Sequence, residues 1–175
     1  MKTARYILRL TLTLLLITAV TAALLGLVNE LTEEKIDTLT REKAEKAMQE
    51  VLPAQSYEEL PAEADGIAAV YRAGDAGYVI RVSVNGFGGA IDMMVGVDPS
   101  GTVTGISIIS HSETASLGAN CTREDFRSQF AGASGEVAVA KDGGQIEALT
   151  GATVTSRAVS DGVNLALRYV KEVLE

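Results

Sequence analysis

The stretch LTGATVTSRAVSDGVNLALRYV, residues 149–170, predicts a tight turn that leads into a helix. Apolar residues recur there and just beyond at intervals of one, three or four, the pattern of a helix with one buried face: Val154, Ala158, Val159, Val163, Leu167, Val170 and Leu174. The free amides and the positive dipole end of such a helix favour a phosphate. From these residues alone, the commoner interpretation of Thr153 is an ordinary helix N-cap without a ligand.

Upstream of this helix the sequence predicts a sheet. Four segments are rich in Val, Ile and Tyr and are separated by turn residues: 67–71, 78–84, 90–97 and 103–110. Their short spacing favours antiparallel hairpins. A short capped helix is predicted from Thr122 to Phe130, and short strands are predicted at 137–141 and 145–147. The expected fold class is α+β, a mostly antiparallel sheet with packed helices, plus one N-terminal transmembrane helix.

The N-terminal segment has the composition of a membrane anchor. Leu10–Val28 holds 19 residues without a charge, which at about 1.5 Å per residue nearly crosses a ~30 Å hydrocarbon core. Lys2, Arg5 and Arg9 precede it. Because basic flanks stay in the cytoplasm, we expect a single-pass cell-membrane protein with a cytoplasmic N-terminus and an extracytoplasmic domain. The alternative is a signal peptide cleaved near Val20-Thr21-Ala22.

The chain is expected to have three parts. Residues 1–28 are the membrane anchor, residues 29–65 a helix and connector, and residues 66–175 the extracytoplasmic domain. The helix in the second part is rich in Glu, Lys, Ala and Leu, and Pro53 ends it. An irregular connector is predicted from there to residue 65.

Charge and cysteine content exclude several classes of function. The 147 residues after Val28 carry 12 basic and 23 acidic groups, a formal net charge of −11. Such an acidic domain argues against binding to nucleic acid or to anionic lipid surfaces. The single cysteine, Cys121, excludes an internal disulfide and an all-cysteine iron–sulfur site, and one Cys with one His is a poor zinc site. No metal site is predicted.

Three motifs together resemble the FMN-binding domain family. Leu149–Ser156 resembles its S/T-G-A-T attachment motif, Gly86–Asp98 its central strand pair with a glycine-rich turn, and His111–Gly118 its H-x-E-T-P-G-L-G loop. Order and spacing match over about residues 77–174. Two departures occur: Ala115-Ser116 replaces Pro-Gly, and Glu147 replaces an aspartate that precedes the attachment motif.

The resemblance implies an FMN esterified through its phosphate to Thr153. Leu117 and Gly118 are candidates for a flavin wall, because an isoalloxazine ring needs apolar surface and close backbone approach. Thr155 and Ser156 are expected to hold the phosphate or to cap the helix. The full set of expected cofactor-binding residues beside Thr153 is Thr150, Gly151, Ala152, Thr155, Ser156, His111, Glu113, Thr114, Leu117 and Gly118. For His111 and Glu113 an exposed polar loop is the alternative.

The family includes the G subunit of the Rnf electron-transport complex and the C subunit of the sodium-translocating NADH:quinone oxidoreductase. The resemblance therefore implies an electron-transfer subunit of an Rnf-type ion-translocating membrane complex. Its partners would be other subunits and, through the N-terminal helix, membrane lipid; the isolated chain need not be an enzyme, and no catalytic residue is assigned. The alternatives are the C subunit of the quinone reductase, or a cofactor-free extracytoplasmic assembly or ligand-binding module.

Overall fold

Alternating apolar residues build one five-stranded antiparallel sheet whose strands pair in chain order. The computed structural model describes residues 2–62 and 64–174. The strands are β1 (Glu58–Leu60), β2 (Ile67–Arg72), β3 (Tyr78–Asn85), β4 (Ala90–Val97) and β5 (Val103–His111). Tight turns connect β2 through β5, because each pair is separated by a few Gly-, Asp- or Asn-containing residues. The expected antiparallel α+β fold is confirmed.

The sheet buries both of its faces. On one face, Met93 packs in a core with the helix α3 (Thr153–Tyr169), while its neighbour Met94 lies in a second core on the other face. Both methionines are fully buried, since successive strand residues point to opposite faces. The second face is covered by the last turns of the helix α1 (Lys2–Val51), which supply Ala47, Met48 and Val51.

Helix α3 follows most of the predicted stripe. Ala158, Val159, Val163, Leu167 and Val170 are buried. Val154 departs from it and is 50 % exposed, because it lies at the start of the helix beside a cavity described below. The side chain of Leu174 is outside the described residues. Gly162, which costs about 1 kcal/mol in a helix, faces Met93, Val82 and Val84, where a Cβ would collide with the methionine.

Residues 1–42 and 43–175 form two separate units. In the first, Arg5–Glu33 is long and apolar enough to cross a membrane, with a mean hydropathy of 2.3. In the second, residues 43–51 are held on the sheet partly by Glu50. Its carboxylate accepts hydrogen bonds from Arg127 and Ser107, each at 2.6 Å.

Three local predictions were wrong. The predicted strands at 137–141 and 145–147 reduce to one parallel bridge between Val139 and Ile146. The side-chain amide of Asn164 accepts a hydrogen bond from the Val137 N–H and donates one to the Val137 C=O, each at 2.7 Å. These two groups are therefore not available for strand pairing. The helix at 122–130 is only a short α2 (Glu124–Arg127) between 3-10 turns, and Thr122 bonds backward to Ala119 instead of capping it. The connector predicted as irregular up to residue 65 contains strand β1.

Candidate functional site

The turn before α3 places Thr153 at the first helical position instead of the N-cap. Gly151 adopts φ = 75°, which glycine accepts without steric cost. Ala152 is the N-cap, and it makes no side-chain capping bond. The Ser156 hydroxyl shapes the turn, since it accepts from the Leu149 N–H at 2.9 Å and donates to the Ala152 carbonyl at 3.1 Å. The interpretation of Thr153 as a structural cap is therefore not what the structure shows.

The hydroxyl of Thr153 has a lysine as its partner. The Lys141 ammonium donates to Thr153 Oγ1 at 3.2 Å. Lys141 lies in a 3-10 turn, Ala140–Asp142. Asp142 connects this turn to α3, because both of its carboxylate oxygens accept hydrogen bonds from Arg157, at 2.6 and 2.7 Å. This pairing holds the pKa of Asp142 below its ordinary value, with the Arg157 hydrogen bonds as the largest cause. A positive charge therefore stands at the hydroxyl.

Glu113 joins three segments of the chain at this place. Its Oε2 accepts from the buried Thr155 hydroxyl at 2.6 Å, and its Oε1 accepts from the Gly88 N–H at 2.9 Å. Its own N–H donates to Nδ1 of His111 at 3.2 Å. The residues of the H-x-E motif thus connect the loop after β5 to the β3–β4 turn and to the first turn of α3.

Glu113 remains a carboxylate although only 9 % of its surface is exposed. Burial raises its pKa, but hydrogen bonds from Thr155 and from the amides of Gly88 and Phe87 outweigh that effect, so that the pKa lies below its ordinary value of 4.5. A Cβ at Gly86 or at Gly118 would overlap this carboxyl group. The two glycines are therefore required by the close approach of Glu113.

The serine at position 116, where the resembling family has glycine, strains the backbone of the loop. Ser116 has φ = 62°, the left-handed conformation, at the position where the family has glycine. The loop is nevertheless closed by backbone bonds from Leu117 and Ala119 to the Thr114 carbonyl, both 3.2 Å. A non-glycine residue in this conformation is strained by roughly 1 kcal/mol.

We expect Ser116→Gly to raise the free energy of unfolding by about 0.5–1 kcal/mol, because relief of strain exceeds the added flexibility of the unfolded chain. Urea titration of the domain measures the change. Ser112→Gly in the same loop is the control and should not stabilise, since Ser112 is not in the left-handed region. Equal stabilisation by both variants would contradict the explanation.

These elements enclose a cavity of about 410 Å³ beside Thr153. Its lining residues are Phe87, Glu113, Thr114, Leu117, Gly118, Lys141, Gly151, Ala152, Thr153, Val154 and Thr155. Phe87, Leu117 and Val154 are 74 %, 44 % and 50 % exposed. Four large apolar side chains are exposed within the described residues after Lys43, and three of these four line this cavity. An apolar wall, a hydroxyl and a cation together suit a flat aromatic ligand that carries a phosphate.

The structure brings together most of the residues expected from sequence. Eight of them line the cavity, whereas Thr150, Ser156 and His111 do not. Thr150 is exposed, Ser156 is buried beneath the turn, and His111 supports Glu113. Thr155 lines the cavity, but its hydroxyl is engaged by Glu113.

Three further residues line the cavity that were not predicted from the sequence as part of the site: Phe87, Lys141 and Val154. Phe87 stands in the glycine-rich turn between two strands, where an aromatic side chain has no core position, and that mismatch was a usable signal. Val154 was assigned to the buried stripe. Lys141 had no distinguishing local signal.

Two family models match this chain. Residues 86–168 match the FMN-binding domain, and residues 1–51 match the RnfG N-terminal region. The chain is 44 % identical over 97 residues to the G subunit of the proton-translocating ferredoxin:NAD(+) oxidoreductase complex of Clostridium ljungdahlii, covering 53 % of this chain and 52 % of that protein. It is 33 % identical over 105 residues to the G subunit of the Na(+)-translocating ferredoxin:NAD(+) oxidoreductase complex of Acetobacterium woodii, a match that covers 55 % of this chain and 50 % of that protein. The chain thus spans about half the length of these curated relatives.

The comparison with solved structures gives a similar fold. It belongs to the C subunit of the Na(+)-translocating NADH-quinone reductase from Parabacteroides distasonis, with a TM-score of 0.52 and 22 % identity, covering 74 % of this chain and 82 % of that chain. At this identity the likeness shows the fold alone. The apolar helix and the N-terminal match fit a membrane protein. Residues 86–168 therefore resemble the FMN-binding domain, and the chain resembles the G subunit of ion-translocating ferredoxin:NAD oxidoreductase complexes.

Proposed function

We propose that this chain is an electron-transfer subunit of an Rnf-type ion-translocating membrane complex and that it carries FMN covalently on Thr153. The observation that carries the proposal is the position of the Thr153 hydroxyl. It lies on a cavity whose rim collects the exposed side chains of Phe87, Leu117 and Val154, and it is next to Lys141. The match to the FMN-binding domain supports the identity of the cofactor.

The residues present fit the cofactor. A volume of about 410 Å³ lies within the range of roughly 300–1,000 Å³ that is typical of small-molecule sites. Phe87, Leu117 and Val154 would cover the ring, and Thr153 would hold the phosphate as an ester. When bound, FMN would supply one- and two-electron redox chemistry that none of the side chains lining the cavity provides.

Apart from the ester at Thr153, the protein's own residues would position this group and take no part in its redox chemistry. Glu113 fixes the loop and the start of α3 relative to each other through Thr155 and Gly88, so the two walls of the cavity keep their spacing. A tether at Thr153 limits the reach of the ring, as transfer by close approach requires. It also prevents loss of the cofactor if the domain faces the extracytoplasmic space.

The proposal includes a topology and a domain division. We propose that residues 1–28 form the anchor, that residues 29–65 lead from it to the sheet, on which residues 43–51 and β1 already pack, and that residues 66–175 are extracytoplasmic. Support comes from the apolar helix Arg5–Glu33 and from the basic residues that precede Leu10.

The direct test is mass spectrometry of the purified chain after co-expression with a flavin transferase. We expect an added mass of one esterified FMN that survives denaturation and that maps, after proteolysis, to the peptide containing Thr153. A domain that folds without any added flavin under these conditions would favour the cofactor-free module. A flavin mapped to another residue would refute the assigned site.

Topology is tested by thiol labelling in intact cells. In a Cys121→Ser background, Thr40→Cys lies on an exposed position of α1 and should react with a membrane-impermeant maleimide. The control, Thr3→Cys, lies on the other side of the apolar run and should react only after permeabilisation. The reverse pattern would overturn the orientation, and labelling of both in intact cells would indicate that the chain does not cross the membrane as proposed.

A further inference from the structure

We infer that Lys141 is the cation that binds the phosphate on Thr153, and that the ion pair between Asp142 and Arg157 positions it for that task. The inference rests on the proposed function and deepens it, because it assigns a phosphate-binding side chain that the attachment motif does not contain. Lys141 acts on the cofactor's phosphate through charge and hydrogen bonding. It is assigned no part in electron transfer.

The placement of Lys141 carries the inference. Its Nζ reaches Thr153 Oγ1 at 3.2 Å and its side chain lines the cavity. Among the ion pairs formed by the described residues, none includes Lys141. The neighbouring carboxylate of Asp142 is already engaged at both oxygens by Arg157. The ammonium therefore has donors available for an anion attached at Thr153.

The electrostatic setting favours a cation at this place. The residues after Val28 carry a formal net charge of −11, and the cavity also contains the ionised Glu113. A phosphodiester on Thr153 would bring another negative charge into this acidic region. A charge-assisted hydrogen bond from an ammonium group is the direct compensation, since such bonds are stronger than neutral ones.

The Asp142–Arg157 pair explains how a mobile lysine is kept in place. Arg157 is four residues after Thr153 on α3, so both side chains stand on the same helix face. Asp142 also donates its N–H to the Val139 carbonyl at 2.8 Å, which closes the turn that carries Lys141. Because exposed ion pairs contribute little to stability, the pair serves mainly to position the turn.

The inference is tested with Lys141→Gln, and Lys141→Arg is the conservative variant. Lys171→Gln is the matched control, because Lys171 is also exposed but borders a different cavity. Each full-length protein is flavinylated by a limiting amount of flavin transferase, and flavin fluorescence on a denaturing gel measures the rate. We expect Lys141→Gln to be about fivefold slower, and the other two variants to match the unsubstituted chain.

A second readout uses fully flavinylated protein and does not depend on the rate of attachment. The ³¹P NMR shift of the phosphodiester should change in Lys141→Gln and recover in Lys141→Arg, and the fluorescence anisotropy of the attached flavin should fall. Arg157→Gln should shift both measurements in the same direction but by less. A structural role of Lys141 would alter thermal stability and leave the ³¹P shift of the folded protein unchanged.

The outcomes separate the inference from the proposed function. If the unsubstituted chain carries no flavin on Thr153, the proposed function is refuted and the inference falls with it. If the unsubstituted chain is flavinylated and Lys141→Gln has the same rate and the same ³¹P shift, the inference alone is refuted. A slower rate with an unchanged ³¹P shift would also refute it, since Lys141 would then act only in recognition by the transferase.

Discussion

Replacing Thr153 by valine is expected to abolish covalent flavin while the domain stays folded. Valine keeps the branched shape of threonine and replaces the hydroxyl, through which the ester would form, by a methyl group. The helix does not depend on that hydroxyl, because Ala152 is the N-cap and Ser156 shapes the turn. The contact that is lost, with Lys141, is at the surface, so stability should change by less than about 0.5 kcal/mol.

The measurement is in-gel flavin fluorescence after denaturation, with circular dichroism to confirm folding. Thr153→Ser is the control: it retains a hydroxyl at the same atom position and should keep a fluorescent band. Thr153→Val with an unchanged band would show that the flavin is attached elsewhere. A folded, non-fluorescent Thr153→Ser would show that the transferase also requires the methyl group of threonine.

Removing the carboxylate of Glu113 is expected to destabilise the domain by about 2–4 kcal/mol. In Glu113→Ala the buried hydroxyl of Thr155 loses its partner, and a gap opens between Gly86 and Gly118, which pack against the carboxyl group. The amide of Gly88 also loses its acceptor but is close enough to solvent to recruit water. Urea titration of the domain measures the loss.

Two further variants separate the causes. Thr155→Val combined with Glu113→Ala should be less destabilising than the sum of the single changes, because no hydroxyl is then left unpaired. Glu113→Gln keeps the shape and should cost less than alanine. Strict additivity of the two single changes would refute the role of Glu113 as a hydrogen-bonded connection between the loop and α3.

The direction of the Glu113 pKa sets the accompanying pH dependence. Its folded pKa lies below 4.5, so its contribution to stability is fully present above that pH and is lost as the pH falls through the folded pKa. Glu113→Gln should therefore lose less stability on acidification than the unsubstituted domain does.

The sequence alone was sufficient for the order of the main elements. Strands β2 to β5 follow local alternation and turn chemistry, and α3 follows its apolar spacing, so neighbouring residues contain the information. The resemblance of residues 149–156 and 111–118 to motifs of the FMN-binding domain family was also visible in short stretches. The strands predicted within residues 137–147 failed because local composition was not decisive there. Asn164, which is distant in sequence, forms hydrogen bonds with both the N–H and the C=O of Val137.

The contacts between polar groups in the site were decided only by the tertiary structure. Glu113 and Thr155 are 42 residues apart and Lys141 and Thr153 are 12 apart, and no local pattern states that either pair meets. Their contact requires the sheet to place the loop after β5 beside the start of α3, and it requires Asp142 to dock on Arg157. Sequence determined which segments become strands and helices, because that depends on periodicity along the chain. Packing between distant segments determined which polar groups share the cavity, because hydrogen bonds and burial act through space.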